Sequence, residues 1–220
     1  IYNHPDLDFA TTHLYTGPGM NSPVNTTAVV EEVGLAVNYA LWMIEDRRPY
    51  TDTESGPIEM WLGNARKDAD FLHNVSFAHL FSGGAGTGMR WPYRTPHILS
   101  TEMLDALARV AKFITAVDWE GFSPDNITGN LLTKEDLIPC AIGDGKTCLA
   151  WLVRKEEAVS GEREKVSIEG LIPGTYEVKF WDPWRSCWME QEIISWTEGT
   201  QIVTPEFTKD LIFVMQLKSE

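Results

Sequence analysis

Apolar residues recur at intervals of three and four through three stretches of the first half of the chain. In the second half they gather into short runs separated by turn residues. The first periodic stretch, Val29, Val33, Ala36, Val37, Ala40, Leu41 and Ile44, follows Asn25-Thr26-Thr27 and predicts a capped helix running to about Asp46. Ala69 to Ser82 predicts a second helix, with Phe71, Leu72, Val75, Ala78 and Phe81 apolar. Thr101 to Val117 predicts a third, with Met103, Leu104, Leu107, Val110, Ala111 and Ile114 on one face and capping residues at Ser100-Thr101-Glu102-Met103. Before and between these helices lie β-prone runs. Leu7 to Tyr15 stops at Thr16-Gly17-Pro18-Gly19, Tyr50 to Thr53 leads into Glu54 and breaks at Ser55-Gly56-Pro57, and Thr87 to Trp91 forms a third.

Residues 1–122 thus alternate strand and helix three times, an order that requires parallel strands joined by right-handed crossovers. A complete barrel of eight such units needs ~250 residues, so three units predict less than half of a (β/α)8 barrel. The pattern changes near Ser123-Pro124-Asp125-Asn126, and residues 123–130 are expected to be a linker. Beyond it come Leu137–Ile142, Thr147–Val153, Lys165–Ile168, Tyr176–Asp182, Glu190–Ile194, Thr200–Val203 and Leu211–Leu217. Gly143-Asp144-Gly145, Pro173-Gly174 and Glu198-Gly199 punctuate them. Short strands without helices over residues 131–220 predict an antiparallel β-sandwich, so the expected fold class is α/β plus all-β.

Composition narrows the partners. A chain of 220 residues, 43% hydrophobic, can bury a real core. A net charge of -14 and a pI near 4.7 argue against nucleic acid and anionic membranes, whose phosphates select basic surfaces. No apolar run approaches the ~20 residues of a membrane span. A neutral partner such as a sugar stays open. Ile1 begins without a basic, apolar, small-residue leader pattern, and the lack of an initiating methionine points to processing or to a fragment. A secreted or periplasmic location is favoured over a cytoplasmic one.

Three cysteines make no metal pattern. Cys140 and Cys148 flank a turn and could face each other across a hairpin, although reduced packing residues are favoured, and Cys187 makes the count odd. His73 and His79, six apart on one helix, do not share a face, and with His97 they form no metal-ligand spacing, so neither metal nor cofactor is expected. Gly84-Ala85-Gly86-Thr87-Gly88 has the glycines of a dinucleotide loop. Such a loop needs a strand before and a helix after it, and here the order is reversed. Those glycines instead allow a helix end to pack tightly against a strand. Asn25, Asn74 and Asn126 head formal glycosylation sequons. Trp181, Trp184, Trp188 and Trp196 crowd the second half, as a core or interface in preference to a sugar-binding face.

The candidate chemistry centres on Glu54, a carboxylate at a strand's end, where parallel barrels keep their catalytic groups. His13 and Tyr15 are expected to share a face of the first strand, and Asp52 to share a face with Glu54. His13-Leu14-Tyr15 resembles the His-x-Tyr at the end of the sixth strand in clan-A glycoside hydrolase barrels, the large cellulase and mannanase family. Pro49 to Gly56 resembles that family's seventh strand, whose Glu is the nucleophile. Trp91 falls where the eighth strand supplies an aromatic platform beneath the sugar, and His73-Asn74 through Gly88 resembles the helix and glycine turn between those strands.

The resemblance implies that residues 1–122 are the last three β/α units of such a barrel, in a retaining enzyme acting on β-linked poly- or oligosaccharides. Glu54 would be the nucleophile, with substrate-binding roles for His13, Tyr15 and Trp91. Tyr15 or His13 would donate a hydrogen bond that keeps Glu54 ionised, and Arg90 would add positive charge. The family's acid/base Glu follows an Asn on the fourth strand; this chain has no Asn-Glu pair, so that residue is expected upstream of Ile1. The Asp52-x-Glu54 spacing also resembles substrate-assisted chitinases, without the rest of their signature. Gly174-Thr175-Tyr176-Glu177-Val178 with Trp181-Asp182-Pro183 resembles the small sandwich domains that close many glycosidases, including ones described as collagen-binding. Two rival readings stand beside this one. One is a non-catalytic carbohydrate-binding or adhesion module built on the tryptophans; the other is a scaffold whose incomplete barrel assembles as a homo-oligomer.

Overall fold

The structure, a computed structural model, describes residues 3–14, 26–46, 48–55, 65–86, 89–90, 99–158 and 160–218, with backbone alone at residues 14, 55, 65–68, 89 and 90. The chain divides into two compact units, Ile1–Ala111 and Lys112–Glu220.

In the first unit β1 (Ala10–Leu14), β2 (Tyr50–Ser55) and β3 (Met89–Arg90) form a parallel sheet in that order. α1 (Ala28–Met43) links the first two strands and α2 (Ala65–Phe81) the next two. The two helices pack on each other, which puts both crossovers on one side of the sheet. α1 buries Val29, Val30, Val33, Val37 and Ala40 and leaves Leu35, Tyr39 and Trp42 exposed. α2 begins four residues before the expected Ala69, because its first turn, Ala65-Arg66-Lys67-Asp68, carries no apolar periodicity. From Phe71 to His79 it is buried on every side. The Asn74 side chain lies inside, donating to the Thr26 carbonyl at 2.7 Å, so the folded helix hides that sequon and anchors the entry to α1. Asn25 lies outside the described residues.

α3 (Thr101–Ala116) is capped as expected, with Ser100 Oγ accepting the Met103 N–H at 3.2 Å. Its buried stripe is Met103, Ala106, Val110 and Phe113, while Leu104 and Ile114 are exposed, a rotation from the expected face. The large ring of Phe113, edge-on to Trp181 with centroids 5.8 Å apart, takes the inward position.

The second unit has two antiparallel sheets. β4 (Asp125–Asn126), β6 (Leu137–Gly143), β7 (Thr147–Arg154), β9 (Gly174–Asp182), β10 (Cys187–Trp196) and β12 (Asp210–Leu217) form one, ordered β10-β9-β12-β7-β6-β4. β5 (Leu131–Leu132), β8 (Lys165–Ile168) and β11 (Gln201–Val203) form the other, ordered β11-β8-β5. Leu152, Phe180 and Phe213 of the large sheet share one core with Leu131, Val166 and Ile202 of the small one. The stretch expected as a linker carries β4, whose Asp125 pairs with Gly143. Strands of two residues are too short to show a period. β6, β7 and β12 are buried along almost their whole length, which accounts for their near-continuous apolar runs.

The β6–β7 turn is fixed by Asp144 Oδ1, which accepts the N–H groups of Lys146 at 2.9 Å and Thr147 at 2.7 Å. Gly143 is required there, since a Cβ would lie 2.6 Å from Ile127 Cδ1 and 2.9 Å from the Thr147 carbonyl. In the ladder Cys148 faces Gly143 and Cys140 faces Trp151, so the two thiols are not opposed. All three cysteines are free, and burial pushes the Cys148 thiol up to about 12. Among the described residues no helix is long and apolar enough to cross a membrane.

Candidate active site

Glu54 lies near the C-terminal end of β2, the middle strand, with His13 opposite it on β1 and Met89 opposite it on β3. A register shift creates this arrangement. Thr12 pairs with Asp52, but the next residue of β1, His13, pairs with Glu54, so Thr53 is an extra residue in β2. The bulge carries Glu54 beside His13, whose Nδ1 stands 3.4 Å from Glu54 Oε2. The carboxylate is half-buried and the imidazole mostly exposed.

The same bulge corrects the expectation for Asp52. Paired residues of a parallel ladder project to the same side and successive residues to opposite sides. Asp52 goes with Thr12 and Glu54 with His13, so the two acids take opposite faces. Asp52 is fully buried, and its Oδ1 accepts the Glu54 N–H at 3.4 Å. It supports the strand from beneath instead of standing beside Glu54 as a second acid.

Beneath the strand, the Asp52 N–H donates to His79 Nε2 at 2.9 Å. The His79 ring stacks on Tyr50, centroids 5.5 Å apart and 16° from parallel, and Tyr50 OH shares a 2.6 Å hydrogen bond with Thr12 Oγ1. Burial lowers the pKa of His79 to about 4, so the ring is neutral at pH 7. The glycine turn after α2 closes over it. Gly83 has φ +101°, the Ala85 N–H donates to the Tyr50 carbonyl at 2.7 Å, and Gly86 bridges to Thr51 in parallel fashion. A Cβ on Gly84 would meet His79 Cε1 and Nδ1 at 2.0 Å. The glycines let a helix end lie flat on a strand, as their order after a helix predicts.

The sequence placed Glu54 and His13 in one site, and the structure brings them together. Tyr15 and Trp91 lie outside the described residues, and of Arg90 only the backbone is described. Sequence reasoning treated His79 only as a metal candidate; its signal was Gly84, three residues after the helix end, which leaves room for a ring. Among the described residues no three His, Cys, Asp or Glu side chains cluster as a metal site.

The tryptophans of the second unit are largely structural. Trp181 and Trp196 are buried, the latter edge-on to Tyr176 in the core. Asp210, itself buried, accepts the indole N–H groups of Trp151 at 2.8 Å and of Trp184, with Lys209 Nζ 4.5 Å from the Trp184 ring centre. Trp188 is partly exposed and packs edge-on to Trp181 at 5.1 Å.

No protein-family model matches the chain, and no curated protein matches its sequence. Solved structures do match. One described as a glycoside hydrolase superposes with a TM-score of 0.52 at 14% identity, over 98% of this chain and 54% of its own length. A glycoside hydrolase family 5 protein from Bacteroides vulgatus gives 0.54 at 12% identity, over 96% of this chain and 51% of its own. The fold resembles about half of each of these two glycoside hydrolase structures. The chain spans about half the length of these structures, and at such identities the likeness concerns the fold alone.

Proposed function

We propose that the chain is the C-terminal part of a retaining glycoside hydrolase that cleaves β-linked poly- or oligosaccharides, with Glu54 as its nucleophile. The observation that carries this reading is the placement of Glu54: the C-terminal end of the central parallel strand, half-buried, with His13 Nδ1 at 3.4 Å, in a chain of glycoside hydrolase fold. Residues 1–122 are read as the last three units of a (β/α)8 barrel, 123–130 as the junction and 131–220 as a β-sandwich accessory domain. Sequential parallel order with both crossovers on one side supports the barrel reading. So do the exposed apolar residues on the outer helices, Leu35 and Trp42 of α1 and Leu104 and Ile114 of α3, beside an α2 that is buried.

In this reading a Glu54 oxygen attacks the anomeric carbon while the glycosidic oxygen leaves with a proton from a general acid, and water then releases the glycosyl ester. That acid belongs to the rest of the parent protein, some 5 to 5.5 Å from Glu54 as retention requires. His13 orients Glu54 through their 3.4 Å contact, and Tyr15 and Trp91 contact the sugar. The parent acts outside the cytoplasm, and the isolated chain pairs with another copy through the strand edges of its incomplete barrel.

The test is intact-mass labelling with a panel of 2-deoxy-2-fluoro glycosides bearing activated leaving groups, followed by peptide mapping. Such groups depart without a general acid, so the missing partner matters less. A stable adduct on Glu54, absent from Glu54→Gln, is expected and names the sugar. An adduct elsewhere, or none on the longer parent protein, overturns the assignment.

A further inference from the structure

Resting on the reading of Glu54 as nucleophile, we infer that His79 is its positioning residue, reaching it through the Asp52 peptide of β2. The ladder itself points to this role. In a regular parallel pair, the N–H two residues beyond an accepting carbonyl donates to the same neighbouring strand. The Tyr50 carbonyl accepts from Ala85 in this way, but the Asp52 N–H, two residues on, goes to His79 Nε2 at 2.9 Å. An imidazole on α2 thus takes the N–H of the residue just before the bulge. Asp52 then passes the constraint forward, its Oδ1 taking the Glu54 N–H at 3.4 Å. The shift from Thr12↔Asp52 to His13↔Glu54 is thus braced on the side of β2 away from β1.

Three features show that the ring is built in for its lone pair as well as its bulk. Because Nε2 accepts, Nδ1 bears the proton, and Nδ1 is buried without a hydrogen-bond partner among the described residues. A phenylalanine would fill the space without that cost. The residues stacked over and under the ring, Tyr50 and the turn at Gly84, leave it no freedom to flip, since even a methyl group on Gly84 would overlap it. Burial also keeps the ring neutral at pH 7, so the lone pair persists.

The test uses the 220-residue chain labelled with nitrogen-15. A scalar coupling across the hydrogen bond between the Asp52 amide nitrogen and His79 Nε2 is expected; its absence in the folded wild type overturns the inference. Three variants then separate position from bulk. His79→Leu removes the acceptor, His79→Gln keeps one, and Gly84→Ala displaces the ring. At a temperature where each variant is folded, Glu54 labelling by the fluoro glycosides should slow about 10²-fold in His79→Leu and Gly84→Ala, the scale of an ångström of misplacement. Labelling should largely recover in His79→Gln. Equal rates in all four proteins overturn the inference. If His79→Leu does not fold, Gly84→Ala against His79→Gln gives the same contrast. A wild type that folds but is never labelled removes the nucleophile reading alone. The coupling, together with loss of Asp52 amide protection in Gly84→Ala but not in His79→Gln, then decides the role of His79 at β2.

Discussion

In the second unit the buried polar centre is charged and closed on itself. The Arg154 guanidinium donates to Glu164 Oε1 at 2.9 Å and to the carbonyls of Phe207 and Glu162 at 3.2 Å each, with the Phe207 ring 4.4 Å beneath it. Lys134 Nζ stands 2.8 Å from the other oxygen of Glu164, whose N–H donates to Thr204 Oγ1. In the first unit the corresponding centre, His79 with Asp52 and Tyr50, turns on a neutral ring that takes the Asp52 N–H and stacks on Tyr50. The first arrangement clamps four chain segments. The second supports one strand from below, with Glu54 and His13 on its far side. A charge network suits a unit whose task is to stay shut, because desolvated charges tolerate no misplacement; a neutral acceptor can brace a site without imposing a field on it.

Breaking the charged centre has the largest expected effect. Arg154→Leu leaves Glu164 buried with Lys134 alone and should cost about 3 to 5 kcal/mol, the usual result of removing one partner of a buried pair. Arg154→Leu with Glu164→Leu should recover part of that loss, since the buried charge goes too while two carbonyls stay unsatisfied. Chemical denaturation of the three proteins measures both. A single variant within about 1 kcal/mol of wild type would mean that the network is no clamp.

Lowering the pH should separate the two units. Burial pushes the folded pKa of His79 down to about 4, against about 6.5 in an unfolded chain. Between those values the unfolded state binds more protons, so this contribution is complete above about pH 6.5 and is lost as pH falls towards 4, about 3 kcal/mol in all. For Glu164, burial raises the pKa, but the hydrogen bonds from Lys134 and Arg154 outweigh it and hold the carboxyl below its ordinary value. Its contribution is present above the unfolded value near 4.3 and disappears only as pH falls below that. At pH 5 the first unit should therefore be weakened and the second intact. Amide exchange followed residue by residue from pH 7 to 5 reads this, and His79→Gln should flatten the slope in the first unit only. Equal loss in both units would deny that the two centres differ in kind.

This contrast also marks what the sequence could disclose. α1 and α3 were legible because burial on one face imposes a period, the longer strands because their apolar runs stop at turn residues, and the Glu54 strand because Ser55-Gly56-Pro57 ends it. The register shift at Thr53 was not, for a bulge depends on what the partner strand offers and leaves no local signal. The same holds for the place of β12 between β9 and β7, set by pairings across more than thirty residues of chain. The rotation of α3 turned on one ring, Phe113, finding Trp181. His79 looked inert because it was weighed as a metal ligand by its spacing from His73, whereas its partner is a backbone N–H that no side-chain pattern reveals.

The smallest expected effect decides which unit meets the sugar. Trp188 is the partly exposed member of the Trp181 pair, and edge-on aromatic pairs contribute about 0.5 to 1.5 kcal/mol beyond their buried area. Trp188→Ala should therefore cost about 1 kcal/mol and leave Glu54 labelling and oligosaccharide affinity by calorimetry unchanged, because the neighbouring rings of Trp181 and Trp196 are buried and that of Trp184 is tied to Asp210. Loss of oligosaccharide binding in Trp188→Ala, with binding intact in Glu54→Gln, would transfer recognition to the second unit and restore the carbohydrate-binding module as the better reading of the chain.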